Sequence, residues 1–323
     1  MLPLATGAAV IWVAAVNGQQ RSRLLIEDTL PIAMLKVDSG TAKSCKINNT
    51  WKFAMQIPAF GWGSSPASVI VGRPFVRLAI IAGVTFAVVA VSMASPLSVS
   101  LAIAPIIAFL YSLVLPIMHE ASHKAFGSDS KSMAVGNIAG AVLLIAYPVY
   151  RDIHLSHHAD PGGPGDKELP VVIQSRAGYV LNLTPWYFLI PFWIETISHV
   201  LDRGEIGRAT RWFVLPFAVG IAAATAISPS SLIAAYWLPL FMSSFFLFVT
   251  TAHEHYAGPD NEWRTRNLRC GPVLQWFLWD TNLHALHHEE SDICSGRPSL
   301  QRDITDDVGL VEFHLGVWRG LAR

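Results

Sequence analysis

The sequence predicts an all-α integral membrane protein: four transmembrane helices in two hairpins, with interfacial helices and a cytosolic cap of clustered histidines. Three observations predict it. Charged residues make up 14% of the 323 residues and hydrophobic residues 52%, whereas a soluble domain carries roughly a quarter charged residues. The apolar residues gather in uncharged runs long enough to cross a bilayer. Most of the 12 histidines fall into short clusters at or beyond the ends of those runs. This composition excludes a disordered chain, which needs low hydrophobicity and high charge. The formal net charge is zero, so no basic surface for nucleic acid is implied. Cys45, Cys270 and Cys294 are odd in number and not arranged as CxxC, which argues against a disulfide framework or a cysteine zinc site.

Residues 1–74 read as a peripheral N-terminal extension, or one outside the functional protein. Residues 3–16 are apolar, but no basic residue precedes them, so the signal-peptide pattern is poor. Residues 75–300 hold the functional domain, and 301–323 form a C-terminal tail. The first predicted hairpin joins 78–93 to 97–118 across an Ala-Ser-Pro break. The second joins 212–228 to 231–252 with Pro229 between them. Pro105, Pro116 and Pro239 lie inside these runs, which membrane helices tolerate. Two further runs, 132–150 and 177–194, are also long enough to span.

Basic residues mark the cytoplasmic side. Arg73 and Arg77 precede the first span. Lys124, Lys131, Arg151, Lys167, Arg176, Arg203, Arg208 and Arg211 follow in the central segment, and Arg264, Arg266, Arg269, Arg297, Arg302, Arg319 and Arg323 in the tail. The links inside the two hairpins have none. The N-terminus, central segment and tail are therefore expected on the cytoplasmic side.

The first histidine cluster, His119-Glu120-Ala121-Ser122-His123, places two imidazoles on one helical face at i and i+4. Alone, HExxH is also the zinc metalloprotease signature. The second cluster has His154, His157 and His158, and the third His284, His287 and His288. Both follow HxxHH spacing, which puts three imidazoles on one side of a helix. A catalytic zinc takes only three protein ligands, so eight imidazoles imply two metal ions. Imidazole suits Zn, Cu, Fe and Ni, so the metal stays open on ligand type. His253 and His255 flank Glu254 at the end of the fourth run, and spacing does not choose between them as a ninth ligand. His199 and His314 are isolated and read as structural or surface residues.

A shared site settles the topology. If 132–150 crossed the bilayer, His123 and His154 would face opposite compartments. If only 177–194 crossed, the third cluster would be stranded. If both crossed, the second alone would be isolated. Both runs should therefore lie in the interface, dip partway or pack on the spans. Trp186, Tyr187 and Trp193 suit a headgroup-level location.

HExxH, HxxHH and HxxHH, in that order, resemble the three histidine boxes of the membrane fatty acid desaturase family. Tyr150-Arg151 before His154, and Gly165-Asp166 with Glu168 after the second box, are similar to that family's pattern. So are Glu254-His255, the Arg-rich stretch 264–269 and Asn282-Leu283-His284. The resemblance covers about residues 75–300. It implies a four-span fold, a non-haem di-iron centre at the cytosolic face, O2 as oxidant, and a fatty acyl or lipid substrate. The implied ligands are His119, His123, His154, His157, His158, His284, His287 and His288, with His255 as the ninth by its place in the EH pair. No His-Pro-Gly-Gly haem signature occurs, so the electron donor is expected to be a separate protein such as a ferredoxin or cytochrome b5. The sequence departs from many members in the three-residue spacing of its first box and in Glu-Glu-Ser-Asp after His288.

Breaking an unactivated C–H bond is beyond any side chain and falls to the metal. Glu120, Glu254, Asp166 and Asn282 are candidates to orient the ligating imidazoles, whose second N–H usually meets a carboxylate or carbonyl. The expected activity is introduction of a double bond. A lipid hydroxylase or carotenoid ketolase-like oxygenase is the alternative. A zinc intramembrane protease acting through HExxH leaves both HxxHH clusters unexplained. A metal transporter should carry ligands within its spans, and the apolar runs contain none.

Overall fold

The computed structural model describes residues 74–159, 171–173, 175–254, 256–257, 266–289 and 307–321. The expectations for the N-terminal extension, Asp166 and His255 fall outside the described residues.

In chain order the helices are α1 (Pro74–Ala94), α2 (Leu97–Ser122), α3 (Asp129–Val142), α4 (Tyr147–Ala159), α5 (Arg176–Asn182), α6 (Leu189–Ser198), α7 (Glu205–Ile227), α8 (Pro229–Thr251), α9 (Pro272–Phe277), α10 (His284–Glu289) and α11 (Leu310–Gly320). Two short parallel strand pairs join β1 (Val171–Val172) to β2 (Tyr256–Ala257) and β3 (Asn267–Arg269) to β4 (Asp307–Gly309). Helices α1, α2, α7 and α8 are long and apolar enough to cross a membrane. They overrun the predicted apolar runs, so α1 takes in Arg77, α2 the first histidine cluster as far as Ser122, and α7 Glu205, Arg208 and Arg211. A helix satisfies its backbone internally whatever its side chains, so it continues past the apolar stretch that signals it.

Helices α2 and α8 form the interior, while α1 and α7 are largely exposed. Lipid tails are as apolar as leucine, so packing and polar contacts drive membrane-helix association. Small residues at the α2–α8 contact let the backbones approach: Ala104, Ala108, Ala234, Ala235, Ser243 and Ser244 are fully buried. Pro239 has no N–H to offer the Ala235 carbonyl four residues back. The Tyr111 hydroxyl donates to that carbonyl at 3.3 Å. The Tyr236 hydroxyl donates to Val142 O at 3.1 Å, tying α8 to α3.

The run 132–150 is not one straight helix. It divides between α3 and α4, and the path bends by 112° between them. The cause is local. Leu144 takes left-handed φ 59°, Leu144 N–H donates to Ala141 O, and Ile145 N–H donates to Gly140 O, the two bonds of a Schellman reversal. Helix α6 braces it: Trp193 Nε1 donates to Leu143 O at 2.7 Å and Ala146 N–H to Thr196 Oγ1 at 3.0 Å. The run 177–194 divides between α5 and α6, of 7 and 10 residues, because Pro185 disfavours helix at Thr184. Neither half reaches spanning length.

Gly140 allows the α3–α4 bend. A Cβ there would stand 2.5 Å from the Ile145 carbonyl oxygen, and one at Gly136 would meet the Tyr147 ring at 2.5 Å. Gly140→Ala is expected to force the bend open and cost about 1–3 kcal/mol, as overpacking does. A thermal-unfolding midpoint equal to wild type would refute that expectation.

Candidate metal centre

The three histidine clusters arrive at one place. The first ends α2, the second lies on α4 and the third forms α10. Each is carried by a helix that ends or begins at a chain reversal with a non-glycine residue in the left-handed region. Lys124 (φ 60°) follows His123, Leu144 precedes α4, and Trp279 and Asp280 (φ 58° and 61°) precede α10. These four are the only such residues among those described. Each costs roughly 1–2 kcal/mol, and such strain persists only where surrounding contacts hold it. At each reversal the two closing bonds are present: Lys124 N–H to Ala121 O with Ala125 N–H to Glu120 O, and Trp279 N–H to Trp276 O with Asp280 N–H to Gln275 O.

The imidazoles sort into two groups that cut across the sequence clusters. Ligand-capable atoms of His119, His123, His154, His158 and His287 all lie within 4.8 Å of one another, and those of His157, His284 and His288 do likewise. Helical phase explains the crossing. In HxxHH the i+3 and i+4 residues sit on opposite sides of residue i. On α4, His154 and His158 enter the larger group while His157 turns to the smaller. On α10 the relation is inverted: His284 and His288 enter the smaller group and His287 the larger.

The nitrogens face one another. His123 Nε2 is 2.9 Å from His154 Nε2, and His287 Nε2 is 3.1 Å from His123 Nε2 and 3.0 Å from His158 Nε2. In the smaller group His288 Nε2 is 3.1 Å from His157 Nε2 and 3.0 Å from His284 Nε2. Protons cannot satisfy such a convergence, since each Nε2 is either one donor or one acceptor. A cation at the centre of each group satisfies all of them at once. His119 adds a buried imidazole with no hydrogen-bond partner on either nitrogen. Burial, reinforced by neighbouring imidazoles, pushes His123, His158 and His288 down to about 3 and lowers His154 and His287 as well. All five are neutral at pH 7, the form that binds a metal. The residues present therefore fit two imidazole-bound metal ions.

The expected orienting residues have distinct placements. Glu120 Oε1 lies 3.6 Å from His119 Nδ1, and Glu254 Oε2 lies 3.9 Å from His284 Nδ1. Asn282 instead braces the backbone. Its Nδ2 donates to Leu268 O at 3.0 Å, and its backbone carbonyl accepts from Leu268 N–H at 2.7 Å. His253 is fully buried, belongs to neither group, and its ring centroid lies 6.3 Å from that of Phe313. His199 is a half-buried partner of Glu195 and Asp202. His314 accepts or donates at Tyr179 Oη, 2.9 Å away, and its Nε2 donates to Val249 O at 2.9 Å, holding α11 against the end of α8. The Tyr150 ring stacks on His154 at 5.5 Å and 8°.

Sequence reasoning treated Arg77 only as a topology marker. The structure buries it, and its one available signal was a charge one turn inside an apolar helix.

Comparison with known families gives one match: the fatty acid desaturase model covers residues 94–295, well over half of the chain and all three histidine clusters. No curated protein matches the sequence.

Proposed function

The chain belongs to the fatty acid desaturase family, and from that premise we propose that it introduces a double bond into a fatty acyl or lipid chain at a non-haem di-iron centre. It is a multi-pass membrane oxidoreductase of the desaturase and hydroxylase kind, acting on lipid. The observation that supports a two-metal oxygen centre is the pair of buried imidazole groups.

His119, His123, His154, His158 and His287 would hold one ion, and His157, His284 and His288 the other. By its place in the Glu254-His255 pair, His255 would be a ninth ligand. When bound, iron supplies the one-electron chemistry with O2 that side chains lack. The reaction balances when two substrate hydrogens, two electrons and two protons reduce O2 to two waters. The electrons come from a separate donor such as a ferredoxin or cytochrome b5. The chain's own part is to hold its imidazoles converged, keep water from the site, and present an apolar membrane face to the substrate. Glu120, Glu254 and Asp166 would accept imidazole N–H groups and fix ring orientation, while Asn282 fixes the backbone before α10. The basic residues around the histidine clusters support a cytoplasmic location for the centre.

The test is expression of the chain in a host of defined lipid supply, with total lipid analysed by mass spectrometry. A lipid that loses two hydrogens only with the intact chain is expected. A lipid that gains oxygen would replace desaturation with hydroxylation or ketolation at the same centre.

A further inference from the structure

We propose that Arg77 is a positioning residue of the metal centre, holding in place the reversal from which α10 presents His284, His287 and His288; this rests on the metal-centre reading above. Arg77 is only 3% exposed although it lies one turn into α1. Its guanidinium bonds the Trp276 carbonyl through both Nε and Nη2, the Gln275 carbonyl through Nη2, and Asp280 Oδ2 through Nη1 at 3.0 Å. It also lies over two indoles, 5.3 Å from the Trp276 ring and 5.2 Å from that of Trp279. Gln275 and Trp276 are the residues whose carbonyls close the reversal, and Asp280 is its second left-handed residue. A cation is favoured at a helix C-terminus, where carbonyls lack intrahelical donors.

From there a chain of hydrogen bonds leads to the histidines. Asp280 O accepts from Leu283 N–H at 2.9 Å, and Leu283 O accepts from His287 N–H at 3.0 Å. Gln275 Nε2 supports the second carboxylate oxygen of Asp280 at 2.9 Å. The α3–α4 reversal is braced by Trp193 and Thr196 of α6, and Arg77 performs that service for the reversal before α10. Lysine is a poor substitute, because one ammonium cannot serve two carbonyls and a carboxylate in the planar geometry of a guanidinium.

The experiment uses the full chain in detergent, stripped of metal and titrated with Co(II). Wild type should bind two Co(II). Arg77→Gln should weaken chiefly the ion of the smaller group, which takes His284 and His288 from α10, by about 10–100-fold, the usual cost of losing a partner behind the ligands, and change the visible Co(II) absorption. In the metal-free protein, amide exchange over 281–289 should quicken while α2 and α8 keep wild-type protection. Arg77→Lys should restore part of both signals. Asp280→Asn keeps the guanidinium, should shift both in the same direction, and serves where Arg77→Gln does not fold. Unchanged Co(II) binding, spectrum and exchange in folded variants would overturn the role of Arg77. Loss of protection spread evenly over α2, α8 and 281–289 would also overturn it, in favour of general stability. A wild-type chain that binds no Co(II) would overturn the metal-centre reading itself, and this inference with it.

Discussion

His157→Ala is expected to abolish turnover and lower the metal content from two ions per chain to one. His157 is completely buried, and its Nε2 stands 3.1 Å from His288 Nε2. Its group has three members among the described residues, against five in the other. Losing one of three strips the smaller group of more of its donors than losing one of five. His287→Ala should therefore retain more metal than His157→Ala, although His287 lies at the centre of its own group. Elemental analysis of the purified variants, alongside lipid products, checks this order. Full activity and two ions in His157→Ala would remove the metal assignment of the smaller group.

Acid is the second large lever. The metal-free chain should lose stability as pH falls below about 6.5, the ordinary histidine value. Burial holds His123, His158, His288 and His253, which lies in neither group, down to about 3 in the folded chain. Between those limits the unfolded chain binds more protons, so stability falls with falling pH and is independent of these groups above the window. Each fully buried imidazole such as His253 contributes about 1.4 kcal/mol per pH unit within it. In the loaded protein the same protons compete for the nitrogen lone pairs, so metal release belongs to the same window. Thermal unfolding at pH 7.5, 6.0 and 5.0 should show a flat and then falling midpoint. A midpoint unchanged to pH 5.0 would mean that these imidazoles are solvated and able to charge in the folded chain.

Much of the site was legible because it is written in local periodicity. The pairs His119/His123, His154/His158 and His284/His288 share faces through the helical repeat alone. The four long apolar helices followed from uncharged runs and membrane thickness. The two ambiguous runs could not be resolved by hydropathy, which does not register a reversal. Nothing in the letters of Lys124, Leu144 or Trp279 announces a left-handed backbone, since most such positions carry glycine. Trp193 read as an interfacial aromatic, yet its indole N–H is spent on the Leu143 carbonyl.

The sequence by itself determined the helices, the chemistry of the donors and the phase of each imidazole on its own helix, since these depend on neighbours within a few residues. Only the tertiary structure decided that eight imidazoles divide five and three, that His157 and His287 cross to the group opposite their helical partners, and that Arg77 reaches partners about 200 positions away. The reason is geometric. Helical phase sets the angle between two side chains on one helix, but which cluster each side chain joins depends on how the helices cross, and that is set by contacts distant in sequence.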